Sequence, residues 1–375
     1  MPKLTYHPLG NADSTRIDLD NGKKVLIDYA NMRCAGDVSD KRIDLPEALR
    51  HDLRLARRND YDVVVFTHLD DDHVCGASEF FYFDYAAAYQ SEERVRINEL
   101  WVPAAVILET SLSGDKHVIR QEAKHRLRQG YGIRVFSSPG LLDSWLRDHG
   151  IEPDSRRHLI TDAGQVVPGF DLSTDGVEFF AHSPFATRSD QGRLLDRNND
   201  SLALHTTFLK GGRLTRALFL ADLNYDVIRD IVRVTEYHGQ RDASRLDRLT
   251  WDVHKISHHS SYNALGPEKG VAKTTPDPDV DRLFTTYGQP GGIIVSTSDP
   301  IPTEDTIQPP HRQAAAYYRD VAAGLTGEFV VTMEHPTKAR PAPLVVDISS
   351  GGAAVQRTMP GGVGPIVSTP APRAG

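Results

Sequence analysis

Six consecutive residues, His68-Leu69-Asp70-Asp71-Asp72-His73, put two imidazoles and three carboxylates on one short stretch of a 375-residue chain. Neutral imidazole and ionised carboxylate are the donors that zinc, manganese and iron accept. Three clustered carboxylates without a cation repel one another and hold their protons more tightly, and a divalent ion relieves that repulsion. The competing reading is a solvated acidic loop with two incidental histidines. What tells against it is the run Tyr61–Phe66 just before, largely apolar and of strand length, with Gly76-Ala77 closely following. A loop leaving a buried strand can converge its side chains on a ligand while the strand holds them in place.

Five further motifs stand around this stretch in order: Gly10-Asn11-Ala12-Asp13-Ser14, Leu26-Ile27-Asp28, Asn198-Asn199-Asp200-Ser201-Leu202-Ala203-Leu204, Leu220-Ala221-Asp222-Leu223 and Lys255-Ile256-Ser257-His258-His259-Ser260-Ser261. Together with His68-x-Asp70-x-Asp72-His73 they resemble the metallo-β-lactamase superfamily, in the variant with Asp at the second ligand position. More specifically, the chain resembles the hydrolase domain of the ComEC competence proteins and their soluble relatives, over roughly Leu4 to Ala323. Ala12 stands where that group has a second Gly, and Leu220-Ala221 where it has Thr-Gly.

The resemblance implies an α/β fold, the four-layer αβ/βα sandwich, holding two divalent metal ions, zinc or alternatively manganese. His68 and Asp70 would hold one ion and Asp72 and His73 the other, with Asp222 bridging. One imidazole of the His258-His259 pair would complete the second site, and the sequence leaves open which. Asp72 would also orient the attacking water and take its proton, and Asp28 would hydrogen-bond a ligand of the first motif. Most superfamily members carry another metal-binding His on a strand-to-loop turn. The nearest candidate is His182, before Pro184, with a packed imidazole as its alternative. His311, after Pro309-Pro310, stands where the group has a His-Pro pair and is a candidate contact for substrate or leaving group. Arg188, Arg193 and Arg197, with Asn199, Ser201 and Lys255, are candidate donors to an anionic substrate. His205 and His254, inside apolar strands, read as packed side chains.

A carboxylate-rich two-metal site suits in-line displacement at phosphorus by an activated water. The leading expectation is therefore a metal-dependent phosphodiesterase acting on nucleic acid or nucleotides. Hydrolysis of a carboxylic ester, thioester or lactam is the alternative, and a non-catalytic metal-binding scaffold the second. The net charge of −8 opposes steering of a long polyanion. A short, single-stranded or nucleotide substrate is thus expected, without stable duplex binding. No P-loop, Gly-x-Gly-x-x-Gly after a strand or Gly-x-Ser-x-Gly elbow occurs.

The elements that must position these residues follow from apolar spacing. The turn Asp20-Asn21-Gly22 joins a hairpin, and Pro46 to Arg58 has helical spacing of Leu49, Leu53 and Ala56. Strand-like runs recur at 100–106, 133–137, 177–183, 202–208, 217–220, 253–256 and 293–296, with 329–333 and 343–348 as final strands. Helical segments at 116–128, 140–148, 225–237 and 313–323 lie between several of them, which argues for two sheets covered by helices. One hydrolase domain is expected over residues 1–350, with 78–155 as a candidate insertion over the active-site face. From Arg357 onward Pro, Gly, Thr and Ala dominate, the composition of a disordered tail. The sequence has no apolar run long enough to span a membrane, no secretory signal and two cysteines, which reads as cytoplasmic.

Overall fold

The computed structural model describes residues 1–186 and 196–357. The first strands, β1 (Lys3–Tyr6), β2 (Thr15–Asp18) and β3 (Lys24–Ile27), form an antiparallel meander whose second turn falls at Asp20-Asn21-Gly22. Helix α1 (Leu45–Leu55) follows, with the Asp44 carboxylate accepting from the Glu47 N–H and Pro46 in its first turn. Leu45, Leu49 and Leu53, four residues apart, form its buried stripe. Strand β4 (Asp60–Val65) then lies parallel to β3. Its Val63 and Val65 face one way and Val64 the other, and all three are buried, as a parallel strand covered on both faces requires.

Two short helices, α2 (Asp71–Val74) and α3 (Ala77–Phe80), lead into β5 (Arg96–Pro103), α4 (Ala104–Leu108), α5 (Gly114–Gln129), β6 (Ile133–Phe136), α6 (Gly140–Asp148) and β7 (Ile160–Thr161). Residues 78–155, the candidate insertion, reach the Asp70 rim through Glu109, which pairs with Arg197. They extend the first sheet, because Leu100, Val102, Ile133 and Val135 recur at strand spacing and are buried beneath α4 to α6. The second half supplies β8 (Val177–Ser183), β9 (Ala203–Lys210), β10 (Arg213–Phe219), α7 (Tyr225–Gly239), β11 (Trp251–Lys255), α8 (Pro278–Thr285), β12 (Gly288–Ser296), α9 (Arg312–Gly324) and β13 (Glu328–Val331). After the small hairpin of β14 (Pro336–Thr337) and β15 (Arg340–Pro341), the chain returns to the first sheet with β16 (Leu344–Ser349) and β17 (Gly352–Val355).

Among the described residues the first sheet has the order β17-β16-β1-β2-β3-β4-β5-β6-β7 and the second β13-β12-β11-β10-β9-β8. Leu4, Ile17, Val25, Val63 and Val65 of the first meet Phe179, Leu204, Ala217, Phe219, Val253 and Val295 of the second in one buried cluster. Helices α1 and α5 cover the outer face of the first sheet, and α7, α8 and α9 that of the second. Each fully buried Val, Leu or Phe contributes about 1.5–3 kcal/mol of transfer free energy, so the three cores fix the layers. The result is a four-layer αβ/βα sandwich. The loops after β3, β4, β10 and β11 all leave the same end of it, together with the β1–β2 connection. The expected tail falls outside the described residues except for Arg357, which reaches Glu328 at 3.1 Å. No helix among the described residues is long and apolar enough to cross a membrane.

Candidate metal centre

Five loops meet at this end, and main-chain hydrogen bonds tie them together. The Asp13 N–H donates to the Asp72 carbonyl at 2.8 Å, Tyr29 N–H to the His73 carbonyl at 3.0 Å, and His258 N–H to the Ala221 carbonyl at 3.1 Å. Several non-glycine residues here adopt left-handed backbone: Asp28 (φ 60°), Ala221 (φ 47°), His258 (φ 52°), His259 (φ 51°) and Ser260 (φ 65°). Such conformations cost on the order of 1–3 kcal/mol each and persist only where the surroundings hold them, as at a functional centre. Here they turn the side chains of Asp222 and His259 toward His73.

Two overlapping groups of donors result: Asp13, His73, Asp222 and His259, and His68, Asp72 and His73. Within each group the ligand atoms lie no more than 4.8 Å apart. His73 Nε2 stands 3.3 Å from Asp222 Oδ1 and 3.7 Å from Asp13 Oδ2, and His259 Nε2 stands 3.5 Å from Asp222 Oδ2 and 3.2 Å from Asp72 Oδ2. His73 Nδ1 donates to Asp28 Oδ2 at 2.8 Å, and His259 Nδ1 to the Thr297 carbonyl at 2.7 Å. A carboxylate or carbonyl oxygen can only accept, so the proton of each neutral ring sits on Nδ1 and Nε2 is left as an open lone pair. Asp28 in turn accepts from the Thr67 N–H (2.8 Å) and hydroxyl (2.7 Å), which fixes its carboxylate. His68 Nε2, His73 Nε2, Asp222 Oδ1 and Asp13 Oδ1 are buried without a hydrogen-bond partner. Buried polar atoms are ordinarily paired. His73 Nε2 and Asp222 Oδ1, 3.3 Å apart, with His68 in the overlapping donor group, fit a divalent cation.

The electrostatics agree. Burial disfavours the charged form of every group here, yet neighbours override it for most. Burial lowers and the carboxylates of Asp222, Asp72 and Asp13 raise the His259 pKa, to about 9 on balance. His73, with Asp222 and Asp28 beside it, is likewise held well above the ordinary value. Asp222 is depressed despite burial by His259 and His73. Without an ion the cluster therefore keeps protons in its place. His68 differs: burial, followed by the neighbouring His73, pushes it down to about 3, so it is neutral throughout the physiological range.

The structure brings together His68, Asp72, His73, Asp222 and His259 of the sequence-derived set, with Asp28 behind His73 as expected. Of the pair, His259 belongs to a donor group and His258 to neither; their ring centres are 6.3 Å apart, and His258 Nδ1 is buried without a partner. Other expectations are corrected. Asp70 belongs to neither donor group: its Oδ1 bonds Arg197 at 2.7 Å, and its Oδ2 lies 3.7 Å from His68 Nε2. His182 lies in neither donor group: strand alternation puts it on the outer face of β8, where Nε2 donates to the Arg248 carbonyl at 2.9 Å. His311 has both ring nitrogens engaged by backbone, accepting from Tyr262 N–H (3.3 Å) and donating to the Ile307 carbonyl (3.2 Å).

Lys255 is buried and paired with Asp13, so it is not a donor to substrate. Asn199 ties its own loop through Asp196 (2.9 Å) and the Asn224 N–H (3.2 Å), and Ser201 is fully buried. Arg197 is committed to Asp70 and Glu109. Arg188 and Arg193 lie outside the described residues. His205 and His254 are packed as expected, the latter stacked on Phe284 at 4.9 Å. Asp13 was the residue missed. The sequence signal was present in Gly10-Asn11-Ala12-Asp13-Ser14, but nothing in the spacing shows that β1 and β2 carry that turn to His73.

No known family profile matches the sequence, and no curated protein matches it. Solved structures with some likeness include the metallo-β-lactamase SMB-1 bound to 2-mercaptoethanesulfonate, at 12% identity over 67% of this chain and 78% of that one, TM-score 0.32. A diphosphatase of the PhnP family matches at 11% identity over 78% and 86%, TM-score 0.30. Unliganded yeast PDE1 matches at 11% identity over 88% and 98%, TM-score 0.38. The chain's own layers and side chains are two facing sheets with helices outside and a buried His/Asp cluster where the strands end, a four-layer αβ/βα sandwich.

Proposed function

We propose that the protein is a metal-dependent hydrolase and that its substrate is a phosphodiester in a nucleotide or short single strand. The observation that carries the hydrolase reading is the buried cluster of His and Asp donors with unpartnered ligand atoms. A divalent ion held there supplies a Lewis acid and makes water a nucleophile near neutral pH. His73 and His259 present Nε2, with Asp28 and the Thr297 carbonyl orienting the rings. Asp222 faces both imidazoles and neutralises them. The Asp72 carboxylate is about a third exposed (29%), the most accessible of the donors, so it is placed to accept a proton from water entering at the mouth.

The choice of phosphodiester rests on the donors. Carboxylates from Asp13, Asp72 and Asp222 make a hard, negative site that favours phosphoryl oxygens as partners of the ion. Arg197 on the rim is neutralised by Asp70 and Glu109 and adds no free cation in support. The test is a side-by-side assay of chelated protein reloaded with zinc or manganese, on a chromogenic phosphodiester, an oligonucleotide and a chromogenic carboxylic ester. Phosphodiester turnover lost in Asp72→Ala is expected. Turnover of the ester alone, equally lost in Asp72→Ala, overturns the substrate class and leaves the hydrolase reading standing.

A further inference from the structure

We propose that Asp13 is itself a ligand of the ion, completing with His73, Asp222 and His259 one buried four-donor site that fills before any second ion binds. This rests on the metal-dependent reading of the same centre. Around a tetrahedral ion with bonds of about 2.0–2.1 Å, neighbouring donors stand about 3.3 Å apart. The separations of 3.3, 3.5 and 3.7 Å that link Asp222, His73, His259 and Asp13 approach that value before any ion draws them in.

His73 cannot serve two ions. Its Nδ1 is committed to Asp28, so Nε2 offers a single lone pair. Once that pair goes to the inner ion, an outer ion is left with His68, Asp72 and a share of Asp222. Asp70, which the sequence placed there, has Oδ1 committed to Arg197, with Oδ2 3.7 Å from His68 Nε2. The inner position therefore holds the complete set.

Asp13 is also held for the task. Its Oδ2, the oxygen 3.7 Å from His73 Nε2, also pairs with Lys255, while Oδ1 is buried and unpartnered. Its N–H is fixed to the Asp72 carbonyl. The turn before it is braced against the second half of the chain: Asn11 Nδ2 donates to the Pro309 carbonyl at 2.7 Å and Asn11 Oδ1 accepts from the Asp299 N–H at 3.0 Å. Gly10 has φ 74°, and a Cβ there would lie 2.8 Å from Asp299 Oδ1, so this close approach needs glycine.

The competing account makes Asp13 a mere partner for Lys255, and the two accounts differ in sign. Metal-free full-length protein is titrated with zinc against a competing chelator, and with cobalt while its visible absorption is followed. The wild type should take up one tight ion per chain. Asp13→Asn should weaken it more than 100-fold, beyond the about 10–100-fold lost when a group only orients a ligand. Lys255→Met, which removes a competing cation, should leave that affinity unchanged or raise it. Cobalt in Asp13→Asn should lose the intense absorption of a four-coordinate ion, a readout that holds even if Lys255→Met fails to fold. Wild-type zinc affinity and an unaltered cobalt spectrum in Asp13→Asn overturn the proposal, as does an equal loss of affinity in Asp13→Asn and Lys255→Met. Wild-type affinity in Asp222→Ala instead sinks the metal-dependent reading itself.

Discussion

On the inner edge of the centre the donors are walled off from water, whereas on the outer edge the same kinds of side chain stand partly in it. Asp13, His73, Asp222 and His259 are each at most 3% exposed. Asp70 and Arg197 are about a third exposed, at 34% and 33%, and pair with each other. A buried group keeps its orientation because moving it would strand charge in the interior. An exposed ion pair is worth about 0–1 kcal/mol and can be exchanged for another partner. The inner edge is thus suited to hold an ion and the outer edge to meet what arrives from solvent.

The sharpest way to break this comparison is to exchange the two adjacent histidines. His259→Ala removes an inner donor and should abolish tight zinc binding, an effect of more than about 100-fold given that even an orienting group costs about 10–100-fold. His258→Ala should change the dissociation constant only a few-fold. Equal losses in the two variants would mean that the selection of His259 is wrong.

Acidity separates the edges next. The ion must displace protons from His259, whose pKa is about 9, and from His73, also raised. Zinc affinity should fall about tenfold per pH unit below about 9 for one proton displaced, and about a hundredfold per unit for two. His68, pushed down to about 3, contributes nothing to this slope. In the metal-free protein the sign is opposite. The His259 pKa lies above its unfolded value of about 6.5, so its stabilisation is complete below that pH and is lost as pH rises through about 9. Calorimetric titrations and melts at several pH values, with and without ion, measure both. A flat affinity between pH 6.5 and 8 contradicts the assignment.

The smallest effect belongs to the rim. Arg197→Ala frees Asp70 to turn toward His68. It should strengthen binding of a second ion several-fold while stability changes by less than about 1 kcal/mol. Stoichiometry measured by metal analysis at rising zinc concentration decides it, and an unchanged second-ion affinity would mean that Arg197 does not restrain Asp70.

The layers were legible because burial writes a period into the sequence. Val63-Val64-Val65 and the Leu45, Leu49 and Leu53 stripe identify a covered strand and its helix without reference to anything distant. His68 to His73 were legible because imidazoles and carboxylates beside a strand end are conspicuous, and Asp222 through the resemblance carried by Leu220-Ala221-Asp222-Leu223. What could not be read is side-chain direction. His258 and His259 are neighbours on one left-handed stretch, and among the described residues only the second lies within ion-pair distance of Asp222. His182 failed for the same reason, since one step along β8 decides which face of the sheet it meets. Asp13 was hidden by long-range closure: its place depends on strands far apart in the chain lying side by side. Lys255 misled because a lysine next to a histidine pair suggests an anion site, while its ammonium is already occupied by that same Asp13.

The return of β16 to the edge of β1 also bears on biosynthesis. Lys3 pairs with Asp347 and Tyr6 with Leu344, so one side of β1 has no ladder until residues 344–347 have been made. During translation that strand is an open edge, the kind of surface that invites pairing with other chains, and pairing across so much sequence closes slowly. The turn carrying Asp13 leaves directly from β1. Its final position therefore waits on β16, so that the sheet and the turn are completed in the same event.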